Sequence, residues 1–427
     1  MIRGVLVFLH RWVGLLMTVF LVIVGLTGSL LAFYDDLEHV FAPQLFAKPR
    51  PGEAQLDMAT LAERAATLVP PHARVISVDL GARAAHGRQP LDQATIRYRA
   101  ETNPETGKPY ELSQPYENGW GQFYVDPWTG AALARPMSSD LSEGLINLMP
   151  FIYRLHDALA LGSTGATILG VVAVAWTIDC FVGFYLTLPV SPAGFWRKWK
   201  PAWLIKRKGG FYRLNFDLHR ASGLWLWPIL FIFAWSSVGF NMSSVYRMVM
   251  TPLFEHGSHA GVKMTEHMKL PVKERPALDW RAAQAVGAKL IEQQGATQGF
   301  IVGEAWGLSY LDKGGSYHYM VHSGDAFFSP HSAASVDFDA DTGELLNVRS
   351  PAAAAPLGNE IRSWLFALHM AHVFGMPFRI LVCALGLVIT ILSATGVYIW
   401  WKKRNARIAQ MLRARTGATR PRPLEAA

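Results

Sequence analysis

VLVFLHRWVGLLMTVFLVIVGLTGSLLAFY, Val5–Tyr34, carries no charged side chain except Arg11. About 20 consecutive apolar residues cross the hydrocarbon core of a bilayer as a helix, so this stretch is long enough to span. Three more stretches read the same way. Ala166–Leu188 contains one acid, Asp179; Ala221–Val245 contains none; Phe378–Trp401 contains only Arg379, at its outer edge. Together they predict four transmembrane helices. Composition agrees: of 427 residues, 51% are hydrophobic and 17% charged, against roughly a quarter charged in soluble domains. That apolar content excludes disorder. Two cysteines exclude a disulfide scaffold and a zinc site built from several thiolates.

The net charge of +8 is explained by where the basic residues fall. Between the second and third stretches lie Arg197, Lys198, Lys200, Lys206, Arg207, Lys208, Arg213 and Arg220, against the single acid Asp217. After the fourth come Lys402, Lys403, Arg404, Arg407, Arg413 and Arg415. Lys and Arg accumulate on the cytoplasmic side. Both termini are therefore expected inside, with residues 35–165 and 246–377 outside. The basic balance is a topology signal, which makes nucleic-acid binding a poor reading. The first stretch reads as an uncleaved anchor, too long for a signal peptide and without a small-x-small site before Asp35-Asp36.

The chain is written twice. HRWVGL (His10–Leu15) opens the first span and HRASGL (His219–Leu224) the third. LHDALALG (Leu155–Gly162) precedes the second and LHMAHVFG (Leu368–Gly375) the fourth. GFYL (Gly183–Leu186) and GVYI (Gly396–Ile399) end those two spans, and DPWTGAAL (Asp126–Leu133) matches DADTGELL (Asp339–Leu346). Each half is then span, outer domain, span. The predicted division is a first transmembrane helix (1–34), a first outer domain (35–150), and an outer helix with the second span (151–188). A basic inner loop (189–220) and the third span (221–246) follow. The chain ends with a second outer domain (247–360), an outer helix with the fourth span (361–401) and a basic tail (402–427). The outer domains read as α+β. Helical spacing marks Leu56–Leu68 and Trp280–Gln293, and alternation marks VISVDL, ATIRYRA, GQFYVD, GFIVGEA, GLSYL, SYHYMVHS and SVDFD as strands. The D-x-x-T-G elements fit turns that end strands.

Both halves start outward from the cytoplasm, so the repeat is parallel, with its pseudo-axis along the membrane normal. Equivalent residues then face each other at equal depth. His10 and His219 are equivalent and lie at the inner ends of spans; His156 and His369 are equivalent and lie at the outer ends. His372 follows His369 by one helical turn. Two histidines facing across a bundle axis suit bis-imidazole ligation of haem iron. One pair at each face predicts two b-type, non-covalent haems, since no C-x-x-C-H is present for covalent attachment. A lone histidine at a helix end is more often a cap; it is the repeat-matched pairing that favours ligation. His369 is the symmetric outer ligand and His372 the alternative.

Arg11 and Arg220 follow the inner pair, and Arg154 and Arg379 lie near the outer pair. Each is a possible contact for a haem propionate; positive-inside anchoring accounts equally well for Arg11 and Arg220. Asp179 is costly within a span and reads as a partner for an inner arginine, a proton carrier or a protonated acid. Gly14 and Gly223 could admit a macrocycle or pack helices closely. Trp176, Trp225, Trp227 and Trp235 fit span packing. HGSHAGVKMTEHM offers His256, His259, Met264, His267 and Met268 as copper-type ligands, although a loop explains it as well.

LHRWVGL, LHRASGL, LHMAHVFG and the YVDPWTG and DFDADTG turns resemble, in their order and doubling, the PepSY-associated transmembrane-helix family of iron-regulated membrane proteins. The resemblance covers nearly the whole chain. It implies four transmembrane α-helices in two tandem repeats, each with an α+β PepSY-like periplasmic domain. It also implies a multi-pass protein of the bacterial inner membrane with cytoplasmic termini. Better-understood members are similar to dihaem siderophore-iron reductases. Their activity would take electrons from a cytoplasmic or quinol donor past His10/His219 and His156/His369 to a periplasmic ferric siderophore. The competing readings are dihaem electron transfer to another acceptor, a non-redox PepSY binding or sensor protein, and siderophore transport. No Rossmann fingerprint is present, so the electron donor is expected to be a separate molecule. No nucleophile–base constellation stands out either.

Overall fold

Apolar runs of this length fold as helix because lipid offers their backbone groups no hydrogen-bond partner. The computed structural model describes residues 2–81, 92–110, 120–134, 140–206, 210–256, 272–324, 333–350 and 356–417. Along the chain come helices α1 (Ile2–Leu31), α2 (Tyr34–Phe41) and α3 (Met58–Ala65), then strands β1 (Ala73–Asp79), β2 (Ala94–Ala100) and β3 (Trp120–Val125). Helices α4 (Leu148–Ala158), α5 (Gly162–Thr187), α6 (Phe195–Trp199), α7 (Gly210–Trp225), α8 (Trp227–Asn241), α9 (Ser243–Met250) and α10 (Trp280–Gln298) follow. Strands β4 (Ala305–Leu311), β5 (Ser316–His322), β6 (Ala333–Asp339) and β7 (Leu345–Arg349) precede α11 (Leu357–His369) and α12 (Gly375–Gly417). Two units result. One comprises Met1–Ser29, Leu155–Tyr246 and Val382–Ala427; the other comprises Leu30–Arg154 and Arg247–Leu381.

In the helical unit, α1, α5 and α12 are each long and apolar enough to cross a membrane. The predicted third span is not one straight helix. Helices α7 and α8 qualify only as a pair, and they are bent by 70° where they meet. Pro228, in the first turn of α8, has no N–H and its ring clashes with the carbonyl four residues back, which breaks the ladder there. The helical run also begins at Gly210, inside the predicted basic loop, so His219 lies within a helix rather than at its end. Small residues let α1 and α12 approach closely. A Cβ on Gly25 would stand 2.7 Å from the Gly386 carbonyl oxygen, and Ser29 Oγ donates to Cys383 O at 2.8 Å. Leu16, Val19, Val171, Ile178, Leu387 and Ile391 are exposed along these helices, an apolar surface that suits lipid.

In the other unit, the strands of both sequence halves form one antiparallel sheet of seven strands, ordered β3-β2-β1-β4-β5-β6-β7. Residues 35–150 and 247–360 are thus not closed off as two separate sheets. Each half supplies a meander whose first strand is an edge, and β1 pairs with β4 through Ser77↔Ser309, Val78↔Leu308 and Asp79↔Gly307. The pairing removes two exposed edges and gives both meanders a shared core. Leu61, Val78, Ile96, Phe123, Leu308, Tyr317 and Phe338 belong to that core. Helices α3 and α10 each start on an aspartate: Asp57 accepts from Thr60 N and Asp279 from Ala282 N. Arg74 and Arg99 from β1 and β2 both reach Asp312, just past β4, at 2.8 Å and 2.6 Å, so a buried ion cluster also joins the halves.

The repeated turns fold alike. Asp126 Oδ1 accepts from Trp128 N and Thr129 N, and Asp339 Oδ1 accepts from Asp341 N and Thr342 N. Gly130 (φ 70°) and Gly343 (φ 73°) close them in the left-handed region. A side chain there is disfavoured by about 1–2 kcal/mol, so Gly343→Ala should lower the thermal unfolding midpoint, whereas Ala at the neighbouring Thr342 position should cost less. One predicted strand is absent. Gly299 ends α10 in a left-handed conformation, and residues 301–304 run as irregular backbone, bonding to His322 through Gly303 N and Glu304 O. Strand β7 went unpredicted.

Candidate functional site

His10 projects from α1 towards α5, where its Nδ1–H donates to Asp179 Oδ1 at 2.9 Å. His219 projects from α7 towards α12, where its Nδ1–H donates to Leu392 O at 3.1 Å, with Thr395 Oγ1 at 3.3 Å. The two arrangements are repeat-equivalent. The offset that relates Asp126 to Asp339 also relates Asp179 to Leu392 and Gly183 to Gly396. A Cβ on Gly183 would lie 3.6 Å from His10 Cε1, and one on Gly396 would lie 3.4 Å from His219 Cε1. Each imidazole is thus seated over a glycine with its Nδ1 committed, which leaves Nε2 as the nitrogen with a lone pair to give.

The two rings have centroids 6.2 Å apart and planes inclined by 57°. An imidazole nitrogen lies ~2.0–2.1 Å from a bound metal, so two rings on one axial line have centroids about 6.3 Å apart. The pair therefore matches bis-imidazole spacing. Gly14 and Gly223 lie one turn beyond His10 and His219, and a Cβ on either meets nothing within 4 Å. They do not pack helices, then; they leave the space beside the histidines open, as a flat macrocycle requires. These observations fit a haem.

His156, on α4, donates from Nδ1 to Thr27 Oγ1 at 3.0 Å. The Thr27 hydroxyl proton is already directed at Ile23 O, 2.7 Å away, so Thr27 accepts from the imidazole and fixes its tautomer. A Cβ on Gly28 would be 3.0 Å from His156 Cε1. His369 is the last residue of α11. His156 belongs to the helical unit and His369 to the sheet unit. His372 is not a helical turn beyond His369: Ala371 takes φ 54°, α11 has already stopped, and His372 N closes the helix end by donating to Ala367 O at 2.9 Å.

The arginines divide. Arg11 lies against the Phe8 and Trp12 rings, and its Nε is buried without a partner. Arg220 is committed to Pro201 O at 2.6 Å and Asp217 Oδ1 at 2.9 Å. Arg379 is buried, donating to Ala32 O at 2.9 Å, paired with Asp36 and lying over Phe33. Arg154 is half-buried in α4. Arg11 and Arg220 each keep a buried Nε–H that could meet a carboxylate. Asp179 pairs with His10 and not with an inner arginine. Two of the tryptophans pack: Trp227 stacks on Phe231 and donates to Cys180 O at 2.9 Å, and Trp235 lies against Tyr246, whereas Trp225 is 49% exposed. His256 donates from Nδ1 to Phe254 O at 2.8 Å; His259, Met264, His267 and Met268 lie outside the described residues. Among the described residues no group of three or more His, Cys, Asp or Glu side chains is placed to hold a metal ion.

Thr27, Thr395 and the glycines under the rings were not singled out by sequence reasoning. The GFYL and GVYI repeat contained a signal for Gly183 and Gly396; the threonines carried none. Helices of this length and apolarity, with an antiparallel sheet of inserted segments, define a membrane protein. The chain belongs to the family described as the PepSY-associated TM region, whose model matches residues 7–403. No curated protein matches the chain.

Proposed function

We propose that this chain is a b-type dihaem oxidoreductase of the bacterial inner membrane, passing electrons from a cytoplasmic or quinol donor to ferric siderophore in the periplasm. The observation that carries the reading is the His10–His219 pair at 6.2 Å with both Nδ1 atoms committed. In this reading four spans form two tandem repeats with cytoplasmic termini, and the joined sheet is the periplasmic pair of PepSY-like domains. His10 and His219 would hold the inner haem, and His156 would be a ligand of the outer one. A b-type haem so bound supplies a centre that takes up and gives back one electron.

The chain's own residues supply the rest. The Nδ1 bonds fix the imidazole tautomers and planes. Gly14 and Gly223 keep the space beside the rings clear, Arg11 offers a guanidinium to a propionate, and apolar helices exclude water. At the acceptor, one electron converts Fe(III) to Fe(II). The softer ion is held less tightly by hard oxygen donors, so the iron is released. Mixing dithionite-reduced, desalted protein with a ferric hydroxamate under argon tests the substrate. Loss of the reduced b-type bands together with capture of Fe(II) by a ferrous chelator is expected; bands that persist would point to another acceptor.

One observation favours transport as a second reading: the 70° break between α7 and α8, because discontinuous spans build transporter sites. The residues at the break, Trp225, Leu226 and Trp227, are apolar and offer a siderophore few ligands. Uptake of labelled ferric siderophore into haem-free proteoliposomes would support it.

A further inference from the structure

Three of the candidate haem ligands have a defined Nδ1 partner, and the partners differ in charge. His219 meets a carbonyl and a hydroxyl, His156 a hydroxyl, and His10 the carboxylate of Asp179. The contrast within the repeat is informative. Leu392, at the position equivalent to Asp179, orients His219 with its backbone oxygen alone. A carboxylate is therefore not needed to hold the ring. It stands in an otherwise apolar helix, its side chain 13% exposed, where an acid is expensive. What Asp179 adds over Leu392 is negative charge on the far side of the imidazole from Nε2.

A carboxylate accepting from Nδ1–H raises the basicity of a ligating imidazole. A more basic axial ligand favours the oxidised, more positive state of the iron and so lowers its potential, and the effect is stronger in a medium of low dielectric. We propose that Asp179 makes the His10–His219 site the low-potential end of the electron path, so that electrons run from it towards the His156 side. This rests on the reading of the histidines as haem ligands. Asp179 acts through His10 as a positioning and tuning residue. One electron leaves the donor and one reaches the ferric acceptor.

The test is a spectroelectrochemical titration of the purified, haem-loaded full chain, with haem counted first. His219→Ala, which should keep the outer haem alone, identifies the outer wave. In the wild type the other wave should lie lower. Asp179→Asn keeps an oxygen acceptor for Nδ1 and removes the charge. It should retain both haems in low-spin form, move the lower wave up and leave the outer wave in place. Asp179→Glu should restore the low wave, which keeps the proposal testable if the asparagine variant does not fold. An inner wave above the outer one, or an Asp179→Asn protein with both haems and unmoved potentials, overturns the proposal while leaving the haem reading intact. Wild-type protein that binds no haem overturns the reading beneath it.

Discussion

In His219→Ala protein, the low-spin b-type absorbance per chain should fall by about half, with one haem lost and the other retained. The pair is reciprocal: each imidazole has its Nδ1 tied to a neighbouring helix, which leaves its Nε2 to donate a lone pair. In the proposed reading a haem at this site would lose one of its two protein ligands, and with it the low-spin band. His10→Ala should produce the same spectrum, since it empties the same site from the other side. The double variant should then lose no more than either single one, because the two losses are one event. His156→Ala should remove the complementary half of the absorbance. The helices should persist in the His10 and His219 variants, since α1 and α12 pack through Gly25, Ser29 and Gly386, away from those two rings.

Asp312→Ala should destabilise the sheet by about 3–5 kcal/mol, the cost of stranding buried charges. Asp312 has a side chain only 8% exposed, and Arg74 and Arg99 are 14% and 22% exposed. Without the aspartate, two guanidiniums from the first half face each other, with Glu274 standing 3.6 Å from Arg74. The cluster stands where β1 meets β4, so the loss should appear there first. Amide exchange in β1 and β4 should speed up more than in β5 and β6. Equal acceleration across the sheet would show that the halves are not joined at this seam.

The spans and the repeat were legible because each rests on local chemistry. An apolar run of bilayer length has few alternatives to helix, and D-x-x-T-G builds its turn from its own carboxylate and glycine. The break at Pro228 was written in the sequence, but the apolar run on either side, from Ala221 to Val245, concealed it. The joining of the two outer segments was not legible. Edge pairing of β1 with β4 is made by backbone groups, which carry no side-chain signature. The spacing of His372 from His369 suggested one helical face, and nothing local marked the left-handed turn at Ala371. For the site, the histidines were legible through their doubling. Their supports were less so: a threonine hydroxyl under His156 or a backbone carbonyl under His219 is set by the packing of distant segments. Asp179 stood out as an acid in a span, and the structure supplied its partner.

The central claim is that these histidines hold haem, and the most direct measurement is haem counted per chain on protein purified from haem-replete cells. Absorption and electron paramagnetic resonance spectra would be recorded on the same sample. Two low-spin, bis-histidine b-type haems per chain is the result this account predicts. A folded, membrane-extracted protein with no Soret band would contradict it.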